Sequence, residues 1–166
     1  MEQEYGAPWG RRLRLTTAFS LALLLLMPVL GLATGPRQFW IWRLAMVGAP
    51  LLGIVGALPF MVRGYTLTSR SLVVHRLGFD TTLALDGLRS VRGVADEAGG
   101  GLRLFGNGGL FSITGWFWNR RLGRYRAFAT DPGRAVLLEF AHRKVLVTPH
   151  DPQAFIVQAR KQFAMR

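Results

Sequence analysis

LAMVGAPLLGIVGALPFMVRGYTLTSRSLVVHR, residues 44–76, holds two textures in one unbroken run. Residues 44–62 are 19 positions without a charge. At about 1.5 Å per residue they reach roughly 28 Å, close to the hydrocarbon thickness of a bilayer. From Arg63 onward the apolar positions recur with a period of about two. Gly64-Tyr65-Thr66-Leu67-Thr68 and Ser71-Leu72-Val73-Val74-His75-Arg76 read as strands joined by Ser69-Arg70, short enough for a tight hairpin. A membrane-length helix therefore runs into a β-domain through Arg63-Gly64 alone, which sets the class as α+β and predicts little freedom between the two parts.

Toward the N-terminus a second uncharged run, residues 15–33, has the same length. Residues 34–38 read as a short turn. Phe39, Trp40 and Trp42 then form an interfacial aromatic belt, with Arg43 able to snorkel outward. The expectation is a transmembrane hairpin over residues 15–62, with helices at 15–33 and 39–62. Pro28, Pro50 and Pro59 would be accommodated as kinks. Gly31, Gly48, Gly53 and Gly56 would pack the hairpin internally. Arg11, Arg12 and Arg14 precede the first span and Arg63, Arg70 and Arg76 follow the second, against Arg37 alone between them. This asymmetry predicts that both termini are cytoplasmic, with residues 1–14 a cytoplasmic segment. The competing reading is a cleaved signal peptide, with Arg11-Arg12 as its basic region and Gly31-Leu32-Ala33 as its cleavage site.

The chain has 166 residues, enough for one modest domain beside such a hairpin. Half of it is hydrophobic and 18% is charged, which excludes a disordered chain or a purely nucleic-acid-coating protein. The formal charge is +12, and residues 63–166 carry +9 of it. An anionic partner is implied, and the apolar segments favour lipid head groups over nucleic acid. Without cysteine there is neither a disulfide nor a thiol nucleophile.

Beyond residue 76 the candidate strands are 80–85, 88–94, 102–105, 110–113, 123–130, 135–140 and 144–147. Asp131-Pro132-Gly133 and Ala141-His142-Arg143 supply turns. The period then becomes helical. Asp151 is an N-cap with Pro152 at the first helical position, Phe155, Ala159 and Phe163 share a face, and Arg160 and Lys161 point away or sit near the C-terminus, where cations suit the helix dipole. The sum is a small antiparallel β-barrel of about seven strands, over residues 63–166, capped by a C-terminal helix.

The order of these parts resembles the bacterial pleckstrin-homology (PH) domain families, particularly the membrane proteins in which two spans precede one PH-like domain. The resemblance rests on Gly64-Tyr65-x-Leu67-Thr68-x-x-x-Leu72-Val73-Val74, Gly106-Asn107-Gly108-Gly109-Leu110-Phe111 and Gly115-x-Phe117. Leu122-Gly123-x-Tyr125-x-Ala127-x-Ala129-Thr130 and Pro149-x-Asp151-Pro152-x-x-Phe155 complete it. It implies a binding or scaffolding role at the bacterial inner membrane. Phosphoinositide-binding PH domains place a basic run in the first hairpin; here that turn is only Thr68-Ser69-Arg70, so an inositol-phosphate pocket is not implied.

Catalytic patterns are missing. Neither Gly-x-Ser-x-Gly nor His-Glu-x-x-His occurs, and His75, His142 and His150 lack metal-ligand spacing. No cofactor or metal is expected. Asp96-Glu97, the one adjacent carboxylate pair considered as chemistry, lies in a Gly-rich turn. Gly106, Asn107, Gly108 and Gly109 read either as positive-φ backbone between strands or as a partner-contact loop. Trp116, Trp118, Arg120, Arg121 and Arg124 read as lipid-facing, as stacking on nucleic acid, or as a barrel edge guarded by solvated arginines. The leading expectation is a non-enzymatic, membrane-tethered module that contacts a protein partner or the anionic leaflet. The alternative is an accessory or regulatory subunit of a membrane transporter or enzyme.

Overall fold

The computed structural model describes residues 2–35 and 40–164; the expected Arg37 and Phe39, and the side chain of Phe163, lie outside that description. Helix α1 (Arg11–Thr34) begins four residues before the uncharged run. Its first turns rest on protein: Leu13 and Thr17 are buried. Helix α2 (Trp40–Ala57) ends short of the expected residue 62, because Pro59 cannot donate into an α-helical ladder. The chain tightens there into a 3-10 turn, Leu58–Phe60. Pro28 and Pro50 do lie inside helices. Both helical segments are long and apolar enough to cross a membrane.

The hairpin is pinned where the Trp42 indole Nε1 donates to the Gly31 carbonyl at 2.9 Å. At Gly31 a side chain would collide with Met46, so this glycine does pack the hairpin. The expectation fails for Gly48, Gly53 and Gly56, each of which faces open space.

Ten strands are found among the described residues, in two sheets. The first comprises β1 (Gln3–Gly6), β2 (Val62–Leu67), β3 (Ser71–Arg76) and β4 (Thr81–Ala84), antiparallel in that order. Strand β1, which the sequence had not suggested, places the N-terminal segment in register with the strand that follows α2, Tyr5 opposite Tyr65. The second comprises β5 (Leu88–Gly93), β6 (Leu102–Gly108), β7 (Ile113–Asn119), β8 (Gly123–Ala129), β9 (Val136–Phe140) and β10 (Lys144–Val147), in the order β5-β9-β10-β8-β7-β6. All its pairs are antiparallel except β10 with β8. Of the expected strand 110–113 only Ile113 is in a strand, residues 110–112 being a bend, and β7 runs from Ile113 through the aromatic cluster.

Helix α3 (Pro152–Ala164) is capped by the Asp151 carboxylate, which accepts from the Ala154 N–H at 2.9 Å. It contributes Phe155, Ile156 and Ala159 to a core shared with both sheets, including Tyr65, Leu72, Val74, Phe128 and Val147. Arg160 does not simply point to solvent: its Nε and Nη2 donate to the Val91 carbonyl of β5 at 3.1 and 2.9 Å. A second cluster, including Phe117, Leu122, Tyr125 and Leu146, lies on the opposite face of the larger sheet. Tyr65 joins the sheets. Its hydroxyl donates to the Phe128 carbonyl at 2.6 Å and accepts from the Thr148 N–H at 3.2 Å.

Candidate functional site

The Gly-rich segment is a docking element for the chain's own first helix. Gly106, Asn107 and Gly108 end β6, and Gly109 opens the turn to β7. Asn107 shapes that turn: its Oδ1 accepts from the N–H groups of Gly109 and Leu110 at 3.1 and 3.0 Å. The buried Gly109 carbonyl then accepts from Thr17 Oγ1 at 2.9 Å and from Thr16 Oγ1 at 3.2 Å. The Phe111 N–H donates back to Thr17 Oγ1 at 3.1 Å, and the Trp9 and Phe111 rings meet at 6.3 Å. Gly106 and Gly109 have φ of 115° and 147°, as expected of backbone between strands, and within the chain the turn packs on α1.

At the same end, Ser112 Oγ donates to the Phe60 carbonyl at 2.9 Å, so this turn also holds the exit of α2. The start of α1 is fixed to the domain by Gly10 N–H donating to the Thr130 carbonyl at 3.2 Å. Both helices thus enter and leave the domain at one junction.

The arginine group lies at the other end of the hairpin. Asn119 builds the β7–β8 turn by accepting from the Arg121 and Leu122 N–H groups, while Arg120, Arg121 and Arg124 are exposed. The seven residues of β7 extend over about 20 Å, which separates these arginines from Gly109. The nine candidate residues therefore do not converge on one point. Trp116 and Trp118 occupy the face between the two ends; Phe117, of opposite parity, is buried. Arg124 covers the Trp116 ring, its Cζ 4.6 Å from the centroid, and Trp118 is 46% exposed.

Register shows what this face contains. Leu102, Trp118 and Arg124 form one cross-strand row, Phe105, Trp116 and Arg126 the next, and Asn107, Thr114 and Phe128 a third. The outer strand β6 is a free sheet edge on which Leu102, Leu104 and Phe105 are all exposed, Phe105 at 77%. An apolar edge of this kind normally has a cover. Near it, at the α2 junction, Phe60 and Phe79 are also exposed and pack edge-on at 5.5 Å.

Between the α2 exit and these rows lies a half-open cavity of about 460 Å³. It is walled by Gly56, Ala57, Phe60, Phe105, Trp116 and Phe128, with the guanidinium-bearing chains of Arg76 and Arg126. Arg76 is 8% exposed. Burial, and secondarily the nearby Arg126, lower its pKa from the usual arginine value. Both guanidiniums lie against the Phe128 ring, at 4.8 and 4.9 Å from its centroid.

Sequence reasoning did not place Arg76, Phe60, Phe79 or Phe105 at a site, and it took in Arg126 only as the end of the aromatic and arginine run 115–126. The signal was parity. In β3 the buried series Leu72, Val74, Arg76 continues inward at an arginine, and in β8 Arg126 shares a face with Phe128. The histidines sit in three separate elements; His75 bridges Thr66 and Asp80, its Nε2 2.7 Å from Thr66 Oγ1 and its Nδ1 2.9 Å from Asp80 Oδ2.

A family model described as a bacterial PH domain matches residues 63–163. No curated protein and no solved structure matches the chain.

Proposed function

Because this chain belongs to the bacterial PH domain family, we propose that it is a non-enzymatic, membrane-anchored interaction module whose PH domain is held by two transmembrane helices against an anionic leaflet. The observation that carries the reading is the exposed apolar rim Phe60, Phe79 and Phe105, which adjoins the α2 exit and continues along the β6 edge through Leu102 and Leu104. Lipid is the cover at hand, since an α2 that spans the bilayer brings this rim to the head-group region. A partner strand added to β6 fits less well. The register breaks between Arg103 and Phe105, and Gly106 follows with φ of 115°, so the edge offers no regular ladder.

Both helix ends that meet the domain lie on its side of the membrane, and the arginines flanking them argue that this side is the cytoplasm of a bacterial inner membrane. The first 14 residues then belong with the domain. Amide exchange of the intact chain in nanodiscs tests the reading. It predicts slower exchange at residues 102–105 in phosphatidylglycerol discs than in phosphatidylcholine discs; equal exchange would remove the leaflet contact.

A second reading, the accessory subunit, is favoured by one observation: Gly48 and Gly53 of α2 face open space, leaving small residues free for a partner helix. Purification in mild detergent separates the two. A stoichiometric membrane partner supports the subunit, and its loss on Gly53→Leu would assign the contact to these residues.

A further inference from the structure

Arg76 and Arg126 present an arrangement that the fold alone does not explain. Two like charges face the same aromatic ring, Phe128, inside one cavity. The ion pairs of Asp80, Glu97, Asp131 and Glu139 go to cations other than these two guanidiniums. Asp80, the nearest acid in sequence to Arg76, is engaged by the His75 ring and sits 3.4 Å from the Arg76 backbone N–H. More than nine-tenths of Arg76 is buried, and its Nε has no hydrogen-bond partner. The Phe79 and Phe128 ring faces, 4.7 and 4.8 Å from the Arg76 guanidinium, offset part of the cost of an Nε taken out of water without an acceptor, and a second cation beside it adds repulsion. An anion in the cavity that both line would relieve both costs.

The rest of the cavity defines which anion. Gly56, Ala57, Phe60, Phe105 and Trp116 make its walls apolar, and Gly56 and Ala57 are the last residues of the membrane-length helix. A free inorganic anion would use the guanidiniums and waste those walls. An amphiphile with a phosphate next to an acyl chain uses both, and guanidinium forks suit phosphate oxygens.

We infer that the cavity between the α2 exit and strands β6–β8 is a binding site for one anionic glycerophospholipid, its phosphate held by Arg76 and Arg126 and its glycerol and first acyl carbons lying along Phe60 and Trp116. This site is distinct from the general surface contact proposed above, and it rests on that reading only for the source of the lipid, the bilayer. It differs from a superficial basic patch in taking one molecule in a defined place.

The test uses the full chain in a neutral detergent, where no leaflet exists, titrated with dihexanoyl phosphatidylglycerol, dihexanoyl phosphatidylcholine and glycerol 1-phosphate. Bound molecules are counted by native mass spectrometry. The expected result is one saturable phosphatidylglycerol per chain, bound at least tenfold more tightly than either of the other two. Arg126→Gln weakens it at least tenfold, Arg126→Lys restores most of the loss, and Arg120→Glu with Arg121→Glu leaves it unchanged. Equal binding of phosphatidylcholine would overturn the role of charge, and equal binding of glycerol 1-phosphate would reduce the site to a phosphate pocket. Unchanged binding in Arg126→Gln would overturn the assignment outright. Because no bilayer is present, failure here leaves the nanodisc result untouched, and failure of the nanodisc result leaves this one untouched.

Discussion

The Thr17 hydroxyl donates to the Gly109 carbonyl at 2.9 Å and accepts from the Phe111 N–H at 3.1 Å, so one side chain in α1 satisfies two backbone groups of the β6–β7 turn. Ninety-two residues separate the hydrogen-bonded pair, yet the contact is buried. It joins α1 to the domain independently of the covalent link that runs from α2 through Arg63.

Thr17→Val keeps the shape of the side chain but leaves the Phe111 N–H unmatched and the Gly109 carbonyl with only the longer Thr16 bond. A buried donor or acceptor left unmade costs about 1–3 kcal/mol, so the thermal midpoint of the protein in detergent should fall. Thr34→Val, which loses only a bond to Leu30 within an exposed helix turn, is the control and should be close to neutral.

Gly106 and Gly115 face each other across β6 and β7, with φ of 115° and 134°. A Cβ on Gly106 would lie 2.3 Å from the Thr114 carbonyl oxygen, and one on Gly115 would lie 2.2 Å from that of Phe105. Backbone cannot move aside as a side chain can. Alanine at either position should cost about 3 kcal/mol or more, read as a lower unfolding midpoint or loss of soluble yield. Gly99→Ala, in open space, should do little.

Burial pushes the Tyr65 phenol up to about 12 from its ordinary 10, although its bonds to Thr148 pull the other way. A raised folded-state value means that the unfolded chain releases this proton first. Stability from Tyr65 is therefore fully present below pH 10 and lost as pH rises from 10 toward 12. Unfolding midpoints measured across that window should fall in the wild type and fall less in Tyr65→Phe. Some slope remains, because burial raises Tyr5 and Tyr125 in the same direction. Below pH 10, Tyr65→Phe should itself cost about 1–3 kcal/mol through the unmatched Phe128 carbonyl.

Glu139 is held below the ordinary carboxylate value, first by the Ser90 hydroxyl and then by Lys144 and Arg92, with burial opposing. Its contribution is present at neutral pH and disappears as pH falls through its lowered folded value. Glu139→Gln should flatten the acid limb of the stability curve without changing the alkaline one.

The two helices and most strands were legible because each carries its own signal: an uncharged run of membrane length, or alternation with turn residues between. Strand β1 was not, since Gln3–Gly6 has one inward residue, Tyr5, and forms only by pairing with β2. The start of α1 was misjudged for a related reason. Arg11–Arg14 looks like a solvated flank, but Leu13 turns inward onto the domain. At the site, the exposed arginines of residues 120–124 carry the obvious signal, while the two that share a cavity lie fifty residues apart, Arg76 at the end of β3 and Arg126 two residues after Arg124 in β8. Only the fold brings them to one ring.

Contact of the β6 edge with lipid is what most directly ties the domain to the membrane. The chain has no cysteine, so Phe105→Cys and His142→Cys each give a single labelling site. With the full protein in phosphatidylglycerol-containing liposomes, a fluorophore at residue 105 should be quenched by bromine-bearing lipids and shielded from aqueous iodide, while one at residue 142 shows the reverse. If both respond to iodide alike and neither to the brominated lipids, the domain does not lie on the membrane through this edge.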